Sequence, residues 1–178
     1  MLVLVVGPSG AGKDTLLDAA RHALKGDPTF RFVRRVITRP AEAGGENHEA
    51  VTRADFTARD FALAWQAHGL RYGIPADIVP DLDAGRVVIA NVSRSIIADA
   101  ARRFPVHVIE ITAPPDMLAA RLAARGRESA VDVAARLARN VAVPDGVPID
   151  TVMNDASPKA GATRFLAALN RVASTARQ

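Results

Sequence analysis

The sequence predicts an α/β fold, a doubly wound parallel sheet with helices on both faces, and three observations carry that expectation. The run Leu2-Val3-Leu4-Val5-Val6 is apolar without alternation, as in a strand buried on both sides. It passes into the glycine-rich stretch Gly7-Pro8-Ser9-Gly10-Ala11-Gly12-Lys13-Asp14-Thr15 and then into residues of helical period. Further apolar runs, Val87 to Ala90 and Val106 to Ile111, recur between helical stretches. A chain of 178 residues, 49% of them hydrophobic, suits a single domain with a well-buried core.

The first connection is the most informative. Gly7, Gly12 and Lys13 satisfy the spacing Gly-x-x-x-x-Gly-Lys, in which glycines let successive N–H groups curl around a di- or triphosphate and the lysine reaches its outer phosphates. Gly7, Ser9, Gly10, Ala11, Gly12, Lys13, Asp14 and Thr15 are therefore expected on the phosphates of ATP. The position after Lys13, usually Ser or Thr, is Asp14.

A helix follows from Asp14 to Leu24, closed by Gly26-Asp27-Pro28, and Phe30 to Thr38 reads as a strand. Arg39 to His48 is a polar, turn-rich segment suited to function. Thr52-Arg53-Ala54-Asp55 looks like a helix cap, and Phe61, Leu63, Ala64 and Trp65 continue an apolar pattern at helical spacing, with Trp65 read as packing. Tyr72 to Pro75 is expected to be extended, Ala76 to Ala84 helical, and Ser95 to Arg103 a helix between the two later strands. Pro114-Pro115 opens a helix with Leu118 and Leu122 toward the core and Arg121 and Arg125 on another face. Beyond Gly126, Arg127-Glu128-Ser129 caps a helix carrying Arg136 and Arg139, so arginines surround a glycine hinge as in a mobile lid. Ile149 to Met153 forms the last strand, Asn154-Asp155 its exit, and Ser157 to Ala173 the closing helix.

Net charge is +4 with a pI near 10.3, and the lysines are Lys13, Lys25 and Lys159 alone. Arginine's planar fork suits bidentate phosphate contacts, which favours small phosphorylated substrates. Aromatics are only 4%, too few for the stacking platforms of a single-strand binder, so nucleic acid is not expected as a partner. No apolar run is long enough to span a bilayer, and a cytoplasmic protein without membrane attachment is expected. The absence of cysteine excludes disulfides and thiolate metal sites. Oligomeric state is left open.

Taken together, Gly-Pro-Ser-Gly-x-Gly-Lys, Thr38-Arg39, His68-Gly69 with Tyr72-Gly73, Arg121-x-x-x-Arg125-Gly126 and Asn154-Asp155 resemble the guanylate kinase fold over essentially the whole chain. Lys13-Asp14, Thr38-Arg39-Pro40, Glu46-Asn47-His48 and Gly126-Arg127-Glu128 resemble, more narrowly, the ribose 1,5-bisphosphate phosphokinases of phosphonate utilisation, which make phosphoribosyl diphosphate. The resemblance implies a P-loop kinase with a core of about 1–38, 76–124 and 141–178, an acceptor-binding region of about 39–75 and an arginine-rich lid of about 125–140. The glutamate that reads guanine in guanylate kinases falls at Leu63, the second phosphate-binding arginine at Glu42, and one phosphate-binding tyrosine at His48. A site without its polar acceptor loses guanine preference by orders of magnitude.

The implied reaction passes ATP's γ-phosphoryl group to the 1-phosphate of ribose 1,5-bisphosphate, with Mg²⁺ as cofactor. Catalytic roles are implied for Lys13, Arg125 and Arg136, nucleotide contacts for Arg121 and Asn154, and an acceptor contact for Arg127. Arg39, His48 and Tyr72 are expected on an acceptor phosphate, with Asn47, Asn91 and Arg94 as neighbours. Glu46 either orients Arg39 or touches a sugar hydroxyl. The second buried strand ends Ile89-Ala90-Asn91 without an acid, so Asp14 either supplies a carboxylate near magnesium or caps the helix start. The alternatives are a nucleoside monophosphate kinase, a silent binding module of the same shape and a nucleic-acid binder. An acceptor panel, the retained phosphate loop and salt dependence separate them in turn.

Overall fold

A computed structural model describes residues 1–41, 46–123 and 142–176. In chain order the elements are β1 (Leu2–Val6), α1 (Lys13–Ala23), β2 (Phe30–Phe32), β3 (Val36–Ile37), β4 (Glu49–Ala50), α2 (Arg53–Thr57), β5 (Phe61–Ala67) and β6 (Leu70–Pro75). There follow α3 (Val79–Asp83), β7 (Val87–Asn91), α4 (Ile97–Arg103), β8 (Val106–Thr112), α5 (Pro115–Ala123), β9 (Ile149–Met153) and α6 (Pro158–Thr175). The main sheet runs β2-β7-β1-β8-β9 with every pairing parallel. A smaller sheet, β4-β3-β6-β5, stands beside it.

The apolar run at the start of the chain has the reason it was given. Val3 and Val5 of β1 pack into one core with α1, α5 and α6, whereas Leu2, Leu4 and Val6 pack into the other with α3, α4 and β5. A strand buried on both faces admits no polar alternation. α6 begins where Ser157 accepts a hydrogen bond from the Ala160 amide, with Pro158 in its first turn, and it buries Phe165, Leu169 and Val172.

Two expectations are corrected. Phe30 to Thr38 is two strands in two sheets: the Val33 amide still donates to the Ile89 carbonyl, but Val36 already pairs with Gly73. Arg34 and Arg35, adjacent and charged, cannot both sit in a sheet with apolar faces, so the chain leaves it there. The second correction is β5, where a helix was expected. Leu63 and Trp65 also lie two apart, and that shorter period is the one realised there, in a hairpin with β6 that sets Trp65 opposite Tyr72, the register shifting between Phe61 and Leu63. His68 (φ 51°) and Gly69 (φ 72°) supply the left-handed pair that a two-residue hairpin turn needs. The helix that Thr52 caps ends at Thr57.

At the far edge, Asp81 of α3 pairs with Arg31 of β2 and, at 2.6 Å, with Arg86. Arg31, and after it Arg86, hold the Asp81 carboxyl below the usual carboxylate range, against the opposing effect of its desolvation. Among the described residues no helix is long and apolar enough to cross a membrane.

Candidate active site

From β1 the chain crosses to β2 and β7 on one side and later fills β8 and β9 on the other. The carboxyl ends of β1, β7 and β8 therefore open onto a crevice at the switch point, where ligands of such sheets bind. Gly7, Ser9, Gly10, Gly12, Lys13 and Asp14 with the Asn91-Val92-Ser93 turn form one side of the cleft, and Arg35, Arg39, Trp65 and Tyr72 the other.

The loop is held by contacts that explain its residues. Gly7 has φ 143° and lies so close to β8 that a Cβ would overlap the Ile111 carbonyl oxygen. Gly12 caps α1 in the left-handed region at φ 84°, and no side chain caps the helix there among the described residues, so its first amides suit an anion. Lys13 Nζ donates to the carbonyls of Gly7 (2.8 Å) and Pro8 (3.0 Å), which arches it over the loop. Asn154 is buried, and its Nδ2 donates to the Ala11 carbonyl at 2.8 Å. A Cβ at Gly12 would come within 2.6 Å of that Nδ2, and one at Gly161 would overlap its Oδ1, so the amide is wedged between loop and α6. Arg121 donates to the carbonyls of Gly10 (3.4 Å) and Asn154 (3.1 Å), and with Thr15 and Asn154 it lines a recess on the outer side of the loop.

The opposite wall is a polar network. His48, 4% exposed, is bonded to Arg39 from both ring nitrogens: Nε2 meets the Arg39 carbonyl at 3.0 Å and Nδ1 the Arg39 Nη2 at 3.3 Å. With the proton on Nε2 both bonds to Arg39 are satisfied, Nε2–H donating and Nδ1 accepting, whereas a proton on Nδ1 would instead bond the Glu46 carbonyl 3.1 Å away. His48 thus stands behind Arg39 and fixes it. The Nε of Arg39 is buried without a hydrogen-bond partner among the described residues, an orphaned cationic donor that an anion would satisfy.

The Glu46 carboxylate pairs with Arg35 through both oxygens, one of them 2.9 Å from Nε, and not with Arg39. Asn91, also buried, donates to Asp14 Oδ1 at 3.1 Å and to Glu46 Oε2 at 3.4 Å, joining the two walls. Asn47 lines a narrow cavity behind Arg35 and not the cleft. Arg94 pairs with Glu110 and does not line the cleft. Arg125, Arg127, Arg136 and the Glu42 position lie outside the described residues.

Arg35, Trp65 and His68 were not expected here. Trp65 and Tyr72 stack with ring centroids 5.3 Å apart, and the Arg35 guanidinium sits 5.4 Å from the Tyr72 centroid and 6.0 Å from that of Trp65. The available signal was the pair Arg34-Arg35 interrupting an apolar strand. Among the described residues, no group of three or more His, Asp or Glu gathers to hold a metal ion.

No family model matches the chain. It is 56% identical over 170 residues to the ribose 1,5-bisphosphate phosphokinase PhnN of Acidiphilium cryptum, covering 96% of this chain and 92% of that one. It is 53% identical over 171 residues to a bifunctional ribose 1,5-bisphosphokinase-thymidine phosphorylase of Cupriavidus necator, of which it spans only 28%. Among solved structures, guanylate kinase from Anaplasma phagocytophilum superposes with a TM-score of 0.59 at 20% identity, covering 97% of this chain and 85% of that one. The last likeness bears on fold alone.

Proposed function

The chain belongs to the ribose 1,5-bisphosphate phosphokinase family, and we propose that it moves the γ-phosphoryl group of ATP onto the 1-phosphate of ribose 1,5-bisphosphate, giving ADP and 5-phosphoribosyl 1-diphosphate. The observation that carries this reading is a single cleft with cationic groups on both walls. Lys13 and the first amides of α1 line one side, Arg35 and Arg39 the other.

The nucleophile is an oxygen of the 1-phosphate, ionised at neutral pH, so no base has to remove a proton. Its attack forms the new P–O bond while the bond from Pγ to the β-phosphate oxygen breaks, and ADP carries that electron pair away. What remains for the protein is to hold two anions in line and stabilise charge on the transferred group. Lys13 and the loop take the donor phosphates, and Arg39, braced by His48 and with its orphaned Nε, takes the acceptor phosphate beside Tyr72. Arg121 and Asn154 shape the nucleotide side.

Asp14 fits a magnesium ion: a half-buried carboxylate next to Lys13, lining the cleft and oriented by Asn91. Magnesium is commonly held by one carboxylate together with phosphate oxygens and water. When bound, the ion neutralises charge on the β- and γ-phosphate oxygens. The roles of Arg125, Arg127 and Arg136 in a lid, and a cytoplasmic setting, rest on the family resemblance.

Leu63, 1% exposed within the core, offers no acceptor to a guanine edge, which favours the sugar over a nucleotide. The test is ADP formation from ATP with ribose 1,5-bisphosphate or a panel of nucleoside monophosphates. Turnover of the sugar bisphosphate well above every nucleotide is expected. Turnover of GMP with none of the sugar bisphosphate overturns the reading.

A further inference from the structure

We propose that Arg35 is the specificity determinant for the acceptor's second, non-reacting phosphate, and that Glu46 is its positioning residue. This rests on the reaction proposed above and adds to it a subsite that divides the acceptor's two anions between two arginines.

Arg35 has five N–H donors, and Glu46 engages one edge of the guanidinium, Nε and Nη2. The Nη1 side of the fork is not used by that pair. Arg35 lines both the cleft and the narrow cavity behind it, whereas Glu46 lines only the cavity. The carboxylate therefore stands on the far side of the cation, where it fixes the guanidinium, and the cleft receives the cation. Its side chain is only 16% exposed and it lies against the stacked rings of Trp65 and Tyr72, so its entropy of immobilisation is met before any ligand arrives. Asn91 completes the mount by bridging Glu46 to Asp14.

Arg39 forms a separate anion site on the same wall, mounted on the His48 ring and not on the Glu46 carboxylate. Two arginines, each with its own support, match an acceptor that carries two phosphates. An acceptor with one phosphate needs only one of them. A planar fork is required for bidentate capture, and lysine reproduces only its charge.

The experiment is equilibrium titration of wild type, Arg35→Gln, Arg35→Lys, Glu46→Gln and Arg39→Gln with ribose 1,5-bisphosphate and with ribose 1-phosphate, beside steady-state turnover and a thermal melt of each. Wild type should bind the bisphosphate roughly 10- to 100-fold tighter than the monophosphate, the worth of charge-assisted hydrogen bonds to one further phosphate. Arg35→Gln should abolish most of that gap while leaving ribose 1-phosphate binding near wild type. Arg35→Lys, which keeps charge and stem, should fall between, and Arg39→Gln should weaken both ligands. Glu46→Gln should raise KM for the bisphosphate with little change in kcat. Equal weakening of both ligands by Arg35→Gln and Arg35→Lys, or a wild type without the gap, overturns the proposal. If wild type binds the bisphosphate with the expected gap but does not phosphorylate it, the reaction is wrong and the subsite stands.

Discussion

The two walls of the cleft are built by different means. The wall proposed to hold the nucleotide is made of backbone: carbonyls and amides of a glycine turn, set by the start of α1 and wedged from behind by Asn154. The wall proposed to hold the acceptor is made of side chains from separated segments, Arg35 on Glu46 and Arg39 on His48, with Asn91 reaching across. A backbone site depends on a few residues adjacent in sequence. A side-chain site depends on partners brought together by topology, and its specificity changes when one partner changes.

The largest effect expected from breaking this contrast is at Lys13. Lys13→Ala should lower kcat by roughly 10³-fold with any acceptor, the scale of losing a preorganised charge on the transferred group, as steady-state assays would show. Arg39→Gln should cost roughly 10- to 100-fold in kcat/KM, and His48→Ala less, because it acts through Arg39. A His48→Ala loss as large as that of Arg39→Gln, with kcat falling at saturating acceptor, would place the imidazole on the substrate instead.

Next in size is the wedge. Asn154→Ala removes the partner of the Ala11 carbonyl and should destabilise the fold by about 1–3 kcal/mol, the penalty for a buried group left unsatisfied. Denaturant titration measures the loss, and KM for ATP should rise more than KM for the acceptor.

The smallest effect lies far from both walls. Because Arg31 lowers the Asp81 carboxyl in the folded state, its contribution is complete above the ordinary carboxylate pKa and disappears as pH falls through the lowered value. Asp81→Asn should lower the melting temperature at neutral pH by roughly 2–4 °C, and the difference from wild type should shrink in acid. Activity at neutral pH should be unaffected.

The same contrast explains what could be read in advance. Gly7, Gly12 and Lys13 are a local pattern whose geometry follows from strand, turn and helix, and β1, β7 and β8 are buried on both faces, so their composition betrays them. Arg39, Tyr72 and Asn91 were expected near the acceptor, and all three line the cleft. Arg35 was missed because its partners lie beyond local reach: Glu46 on a loop, and Trp65 with Tyr72 on a hairpin read at the wrong period. Phe61 and Trp65 are spaced for a helix, but Leu63 between them makes a strand equally consistent, and only pairing with β6 decides. Arg94 shows the converse: an arginine next to a strand end is neutralised by Glu110, a partner no local pattern announces.

The central claim is that the γ-phosphoryl group lands on the 1-phosphate of a sugar bisphosphate held by the acceptor wall. Phosphorus NMR of the products from ATP and ribose 1,5-bisphosphate tests it most directly. The account predicts a diphosphate at C1 with the 5-phosphate intact, formed together with ADP. A diphosphate at C5, or ADP formed with the sugar unchanged, would contradict it.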